Sequence, residues 1–157
     1  MNLRFPPSPR SGTTVVEAEG VSKSYGQLNV LKRIDFKIHR GEKVAFVGRN
    51  GEGKTTFSRI ITGDLDYEGS LEIGHNVRTG YFAQNQDELL DENKTVLQTI
   101  DDVAKGEIRT RIRDMLGAFL FRGDDIDKKV KVLSGGERSR LALVRLLLEP
   151  YNLLVLD

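Results

Sequence analysis

Gly48-Arg-Asn-Gly-Glu-Gly-Lys-Thr55 spaces its glycines, lysine and hydroxyl as a phosphate cradle requires. The pattern G-x-x-x-x-G-K-[ST] is met at every fixed position, between the apolar run Val44–Val47 and the helix-like stretch Thr56–Ile61. The glycines let successive N–H groups curl toward one anion, and the following helix adds the positive end of its dipole. Lys54 would reach the β- and γ-phosphates of a nucleotide, and the Thr55 hydroxyl would hold Mg²⁺. The candidate phosphate contacts are Gly48, Asn50, Gly51, Gly53, Lys54, Thr55 and Thr56. A glycine-rich turn that merely precedes a helix would share the composition, but not both flanks.

Leu133-Ser-Gly-Gly-Glu137 is the second such group. Ser134 and Glu137 have the spacing of a capping box, which by itself only starts a helix. Two glycines in the first turn lower helix propensity, so they make more sense where a phosphate approaches the backbone closely.

The elements that must carry these groups can be read from periodicity. Val15–Glu19 and Ile34–Ile38 alternate as strands, and Val44–Val47 reads as a buried parallel strand. Gly63 and Asp64 end the first helix. Gly69–Ile73 and Val77–Phe82 read as strands around a turn at Gly74, His75 and Asn76. From Asp87 to about Arg122 the pattern is helical, with Val96, Ile100 and Val103 on one face and Ile108, Ile112 and Leu116 on another. A long helix follows Ser134, with Leu141, Val144 and Leu148 apolar. Pro150 ends it, and Leu153–Leu156 is another buried run, closing on Asp157. The sum is α/β: a sheet layer, a helical insert and a return to the sheet.

The bulk figures agree with an ordinary soluble domain. The chain has 157 residues, 38% apolar and 30% charged, with a net charge of +1, so composition makes no case for nucleic acid or an acidic membrane surface. Without cysteine there are no disulfides and no thiolate metal sites, which permits a cytoplasmic home. No apolar run is long enough to span a bilayer. Residues 1–12 read as a proline-stiffened linker. The acidic residues Asp87, Glu88, Asp91, Glu92, Asp101 and Asp102 suit a solvated face or a partner contact. His39 and His75 stand apart, in turns, without a catalytic role.

Leu133–Glu137 resembles the signature sequence of ATP-binding-cassette (ABC) ATPases, and the remaining motifs follow in that family's order. Tyr25 matches the aromatic residue that stacks on adenine. Gly48–Thr55 matches Walker A, Gln84 in Tyr81-Phe-Ala-Gln84 matches the Q-loop glutamine, and Leu153-Leu-Val-Leu-Asp157 matches Walker B. The resemblance covers the chain from about Val15 onward. It implies a P-loop NTPase core with an N-terminal antiparallel β subdomain and a helical insert (about 87–145) within a partial ATP-binding domain at 13–157.

The cofactors implied are ATP and Mg²⁺. Lys54, Gln84 and Asp157 would be catalytic, and Thr55, Gln84 and Asp157 would be the metal ligands. An aromatic face such as Tyr25 offers a base stacking worth about 1–3 kcal/mol. Ser134, Gly135, Gly136 and Glu137 would serve ATP held by a second ABC domain, arranged head to tail in the same parent chain.

Ser134-Gly-Gly-Glu-Arg-Ser-Arg-Leu-Ala-Leu143, Tyr81-Phe-Ala-Gln84 and the short stretch from Gly69 to Gln84 are similar to the soluble F subfamily. Phe5-Pro-Pro-Ser-Pro9 resembles the end of a linker between two cassettes. The expectation is therefore the second cassette of a ribosome-associated, cytoplasmic ATPase without direct membrane insertion. The alternatives are the ATP-binding subunit of a membrane transporter, with a membrane subunit as partner, and a non-enzymatic docking module for ribosome or protein. Family members continue past Walker B with a water-polarising glutamate, a D-loop and a switch histidine. The C-terminal part of the core is thus expected to be missing, leaving a weak ATP binder.

Overall fold

The computed structural model describes residues 5–49, 51, 53–83 and 85–157. Asn50 and Gln84, both candidates above, lie outside the described residues. Two units form, one from Pro9–Tyr81 with Tyr151–Asp157 and one around Phe82–Pro150.

In the first unit, β1 (Thr14–Tyr25) and β2 (Leu28–His39) make a long antiparallel hairpin, turning at Gly26 with φ 61°. Both strands run well beyond the short alternating cores at 15–19 and 34–38. Alternation breaks at bulges: Gly20 has φ 60°, and its N–H donates to Asp35 Oδ1 at 2.7 Å. β3 (Glu68–Ile73) adds to the other side of β1, giving the order β2-β1-β3. α1 (Lys54–Ile61) buries Phe57, Ile60 and Ile61, spaced for one helical face. Each such side chain contributes about 1.5–3 kcal/mol of transfer free energy. Val15, Val16, Ala18, Val21, Leu31 and Val155 complete this core.

β4 (Thr79–Phe82) pairs with β5 (Leu153–Leu156) in a second, two-stranded sheet. This corrects the expected hairpin between 69–73 and 77–82. The turn exists, with Asn76 at φ 57°, but β3 chooses β1 as its partner and β4 chooses β5.

Two further expectations fail. Val44–Val47 is not a strand; Val47 is 93% exposed, and Phe46 lies edge-on to Phe36 and Phe57 at 5.6 and 5.2 Å. An apolar run becomes a strand only where a neighbour takes its N–H and C=O groups, and among the described residues none pairs with it. Leu153–Leu156 is a strand but not a buried one. Val155 is buried, while Leu154 and Leu156 are 41% and 64% exposed.

The second unit is helical. α2 (Val96–Asp101) starts in a capping box of Thr95 and Gln98. α3 (Glu107–Thr110) and α4 (Ile112–Ala118) break at Arg111, so Ile108 sits on a different helix from Ile112 and Leu116. α5 (Gly135–Leu148) crosses this unit with Leu141, Val144 and Leu148 buried against Val96, Ile100, Leu116 and Phe121.

Candidate functional site

The glycine-rich loop ends on Gly53, the N-cap of α1, at φ 86° and without a side-chain cap. A Cβ there would lie 2.9 Å from both Val30 Cγ1 and Leu31 Cδ2, so backbone conformation and the adjacent hairpin both require glycine. Gly51 also has φ 86°. The first turn of α1 therefore keeps backbone donors and no acidic residue, which suits an anion.

Thr55 and Asp157 meet beside Lys54, the residue before Thr55 in α1. The Lys54 ammonium donates to the Gly48 carbonyl at 2.6 Å. The Thr55 hydroxyl donates to Asp157 Oδ1 at 3.2 Å, across 102 positions of sequence. Tyr81 donates its phenol proton to the other oxygen, Asp157 Oδ2, at 2.9 Å. Burial, then the bond to the Asp157 carboxylate and its negative charge, push the Tyr81 phenol up to about 12. Tyr81 was no site candidate by sequence. Its strand periodicity was readable, but its contact depends on a residue 76 positions away.

Asn152 fixes the register that brings Tyr81 to Asp157. Its Oδ1 accepts the Arg78 N–H at 2.6 Å, and its Nδ2 donates to the carbonyls of Pro9 and Asn76 at 2.7 and 2.8 Å. The N–H groups of Asn152 and Leu153 both donate to the Arg78 carbonyl. Arg78 beside Asn152 and Tyr81 beside Asp157 make β4 and β5 run the same way. Gly80 lets the Tyr151 ring lie on the strand, since a Cβ there would meet that ring at 2.5 Å.

Tyr25, 48% exposed at the hairpin end, presents an open ring within the same unit. The Lys23 ammonium stands 5.3 Å from the ring centre and pairs with Asp66 at 3.0 Å. That hydrogen bond holds the Asp66 carboxyl below its ordinary range.

Ser134, Gly135, Gly136 and Glu137 belong to the helical unit. The capping box is closed: Ser134 Oγ accepts the Glu137 N–H, and Glu137 Oε1 accepts the Ser134 N–H, each at 3.2 Å. The bond from the Ser134 N–H, then that involving its side chain, keep the Glu137 carboxyl below its usual range. A Cβ at Gly135 or Gly136 would meet nothing within 4 Å, so both faces are open. Arg138, which motif reading left without a role, forks onto the Val130 and Lys131 carbonyls at 3.2 and 3.0 Å and pairs with Glu92 at 3.4 Å. It ties the start of α5 to the segment before it.

The donor set suits a hard cation. Thr55 and Asp157 offer oxygen, and no cluster of three acidic, histidine or cysteine side chains is found among the described residues. A magnesium ion completed by phosphate and water needs no larger protein cage.

Residues 31–157 match the family model described as "ABC transporter". The chain is 40% identical over 159 residues to "ABC transporter F family member 5" of Arabidopsis thaliana, covering all of this chain and 23% of that protein. It is 39% identical over 160 residues to "ATP-binding protein Uup" of Haemophilus influenzae, covering 99% and 25%. Among solved structures it is similar to cbiO1 from Clostridium perfringens, part of the ABC transporter complex cbiONQ. That match has a TM-score of 0.71 and 26% identity, over 93% of this chain and 66% of the other. The chain thus spans about a quarter of the length of the curated relatives it matches.

Proposed function

This chain belongs to the ABC transporter family, and on that premise we propose that it is an ATP-binding cassette of the F subfamily, acting in a cytoplasmic, ribosome-associated ATPase. The observation that carries the nucleotide reading is the 3.2 Å contact between Thr55 and Asp157, which joins the two motifs that flank a magnesium–phosphate group in this family.

The loop N–H groups and the Lys54 ammonium would take the β- and γ-phosphates. Thr55, Asp157 and Gln84 would hold magnesium, and Tyr25 would stack on the base. Magnesium, when bound, neutralises charge on the phosphate oxygens. Ser134, Gly135, Gly136 and Glu137 are assigned to ATP held on a second cassette of the parent protein. Turnover is assigned to the intact protein and nucleotide binding to this chain.

The F-subfamily reading is supported by about 40% identity to F-family members over the whole chain. A second reading, the ATP-binding subunit of a membrane transporter, draws support from the cbiO1 likeness at lower identity. No helix among the described residues is long and apolar enough to cross a membrane.

Calorimetry of the intact protein tests the nucleotide reading. ATP with Mg²⁺ should bind, Lys54→Ala should remove the binding at this cassette's own site, and no uptake by the wild type would overturn it. Ribosome co-sedimentation that rises with ATP supports the translation role. Equal sedimentation with and without ATP favours a docking module, and specific co-purification with a membrane subunit favours the transporter.

A further inference from the structure

We propose that Tyr81 is a positioning residue for Asp157, its phenol holding one carboxylate oxygen so that the other stays turned toward Thr55. The proposal rests on the magnesium–nucleotide reading above and adds a residue to it.

A carboxylate at a strand end can rotate, and a rotating ligand must be ordered when a metal arrives. Here both oxygens have separate partners: Oδ2 accepts from Tyr81 at 2.9 Å and Oδ1 from Thr55 at 3.2 Å. The ring delivering the first bond is itself held. Tyr81 packs partly buried on the core of the sheet unit, and the Asn152 bonds set the strand register on which it sits. A phenol also has the right charge. A lysine or arginine there would place a cation beside the metal, whereas a neutral donor orients the carboxylate without opposing Mg²⁺. Tyr81 need not touch nucleotide; it acts through Asp157.

The test uses the intact protein saturated with a non-hydrolysable ATP analogue and titrated with Mg²⁺ in a calorimeter. Tyr81→Phe keeps the ring and removes the bond. Affinity for the analogue in EDTA should stay within about twofold, while the Mg²⁺ needed for half-saturation should rise about tenfold, the scale of an outer-shell loss. In an Asp157→Asn background, Tyr81→Phe should change the Mg²⁺ half-saturation no further. Equal half-saturation in wild type and Tyr81→Phe overturns the proposal. So does full additivity in the double variant, which would mark a packing role alone. Lys54→Ala and Asp157→Asn are the controls on the underlying reading: if both bind Mg²⁺ and analogue like wild type, that reading fails and the proposal falls with it.

Discussion

Lys54 closes the glycine-rich loop upon itself, its ammonium 2.6 Å from the Gly48 carbonyl. In this state the charge expected to meet phosphate satisfies a main-chain oxygen. An arriving phosphate exchanges that neutral carbonyl for a negatively charged acceptor, which the Lys54 ammonium attracts more strongly.

Lys54→Met should therefore separate two quantities. Without nucleotide, stability should fall by no more than about 1.5–3 kcal/mol, the net worth of one hydrogen bond to a charged group. The stabilisation by ATP with Mg²⁺, about 2.7 kcal/mol at a hundredfold excess over Kd, should vanish. Thermal melting with and without nucleotide reads both.

Gly53→Ala should destabilise the sheet unit by about 2 kcal/mol or more. The added methyl combines a left-handed conformation with overlap at 2.9 Å on Val30 and Leu31. Denaturant titration would show a lower midpoint with an unchanged slope.

Asn152→Ala should cost about 2–3 kcal/mol, because three side-chain hydrogen bonds are lost and each is worth about 1 kcal/mol. Asn152→Asp keeps the acceptor for Arg78 but loses both donor bonds, and should remain well below wild type. Urea unfolding followed by circular dichroism distinguishes the two variants.

Glu137 gives the helical unit an acid-sensitive start. Its carboxyl is depressed by the bonds from Ser134, so the contribution is present above the unfolded-state value, near 4.5, and is lost as pH falls through the lower folded value. Glu137→Gln retains the capping-box geometry without a titrating group. It should match wild type at neutral pH within about 0.5 kcal/mol and show a shallower loss of stability below pH ~4.5. Asp125, depressed by its bond to Lys128, preserves part of the slope.

What could be read from the chain was what local rules decide. The Ser134–Glu137 box closes over three residues, and Gly53 announces its own conformation beside Lys54 and Thr55. The fate of Val44–Val47 could not be read, because strand formation there depends on partners supplied by distant segments. The same limit produced the wrong hairpin. The turn at Asn76 is local, but the pairing of Ile73 with Val16, and of β4 with β5, is a choice among distant strands. Tyr81 escaped for that reason too. Its sequence neighbours say strand, and only the bond to Asp157 says more.

The direction of one hydrogen bond at Ser134 has a further consequence. The hydroxyl oxygen caps α5 by accepting, so its own proton is still available to an incoming anion. Aspartate would begin the helix equally well, yet it would set a negative charge where we assign a phosphate of the second cassette. Foldability alone would pass Ser134→Asp, whereas a cassette that must close over a triphosphate would reject it.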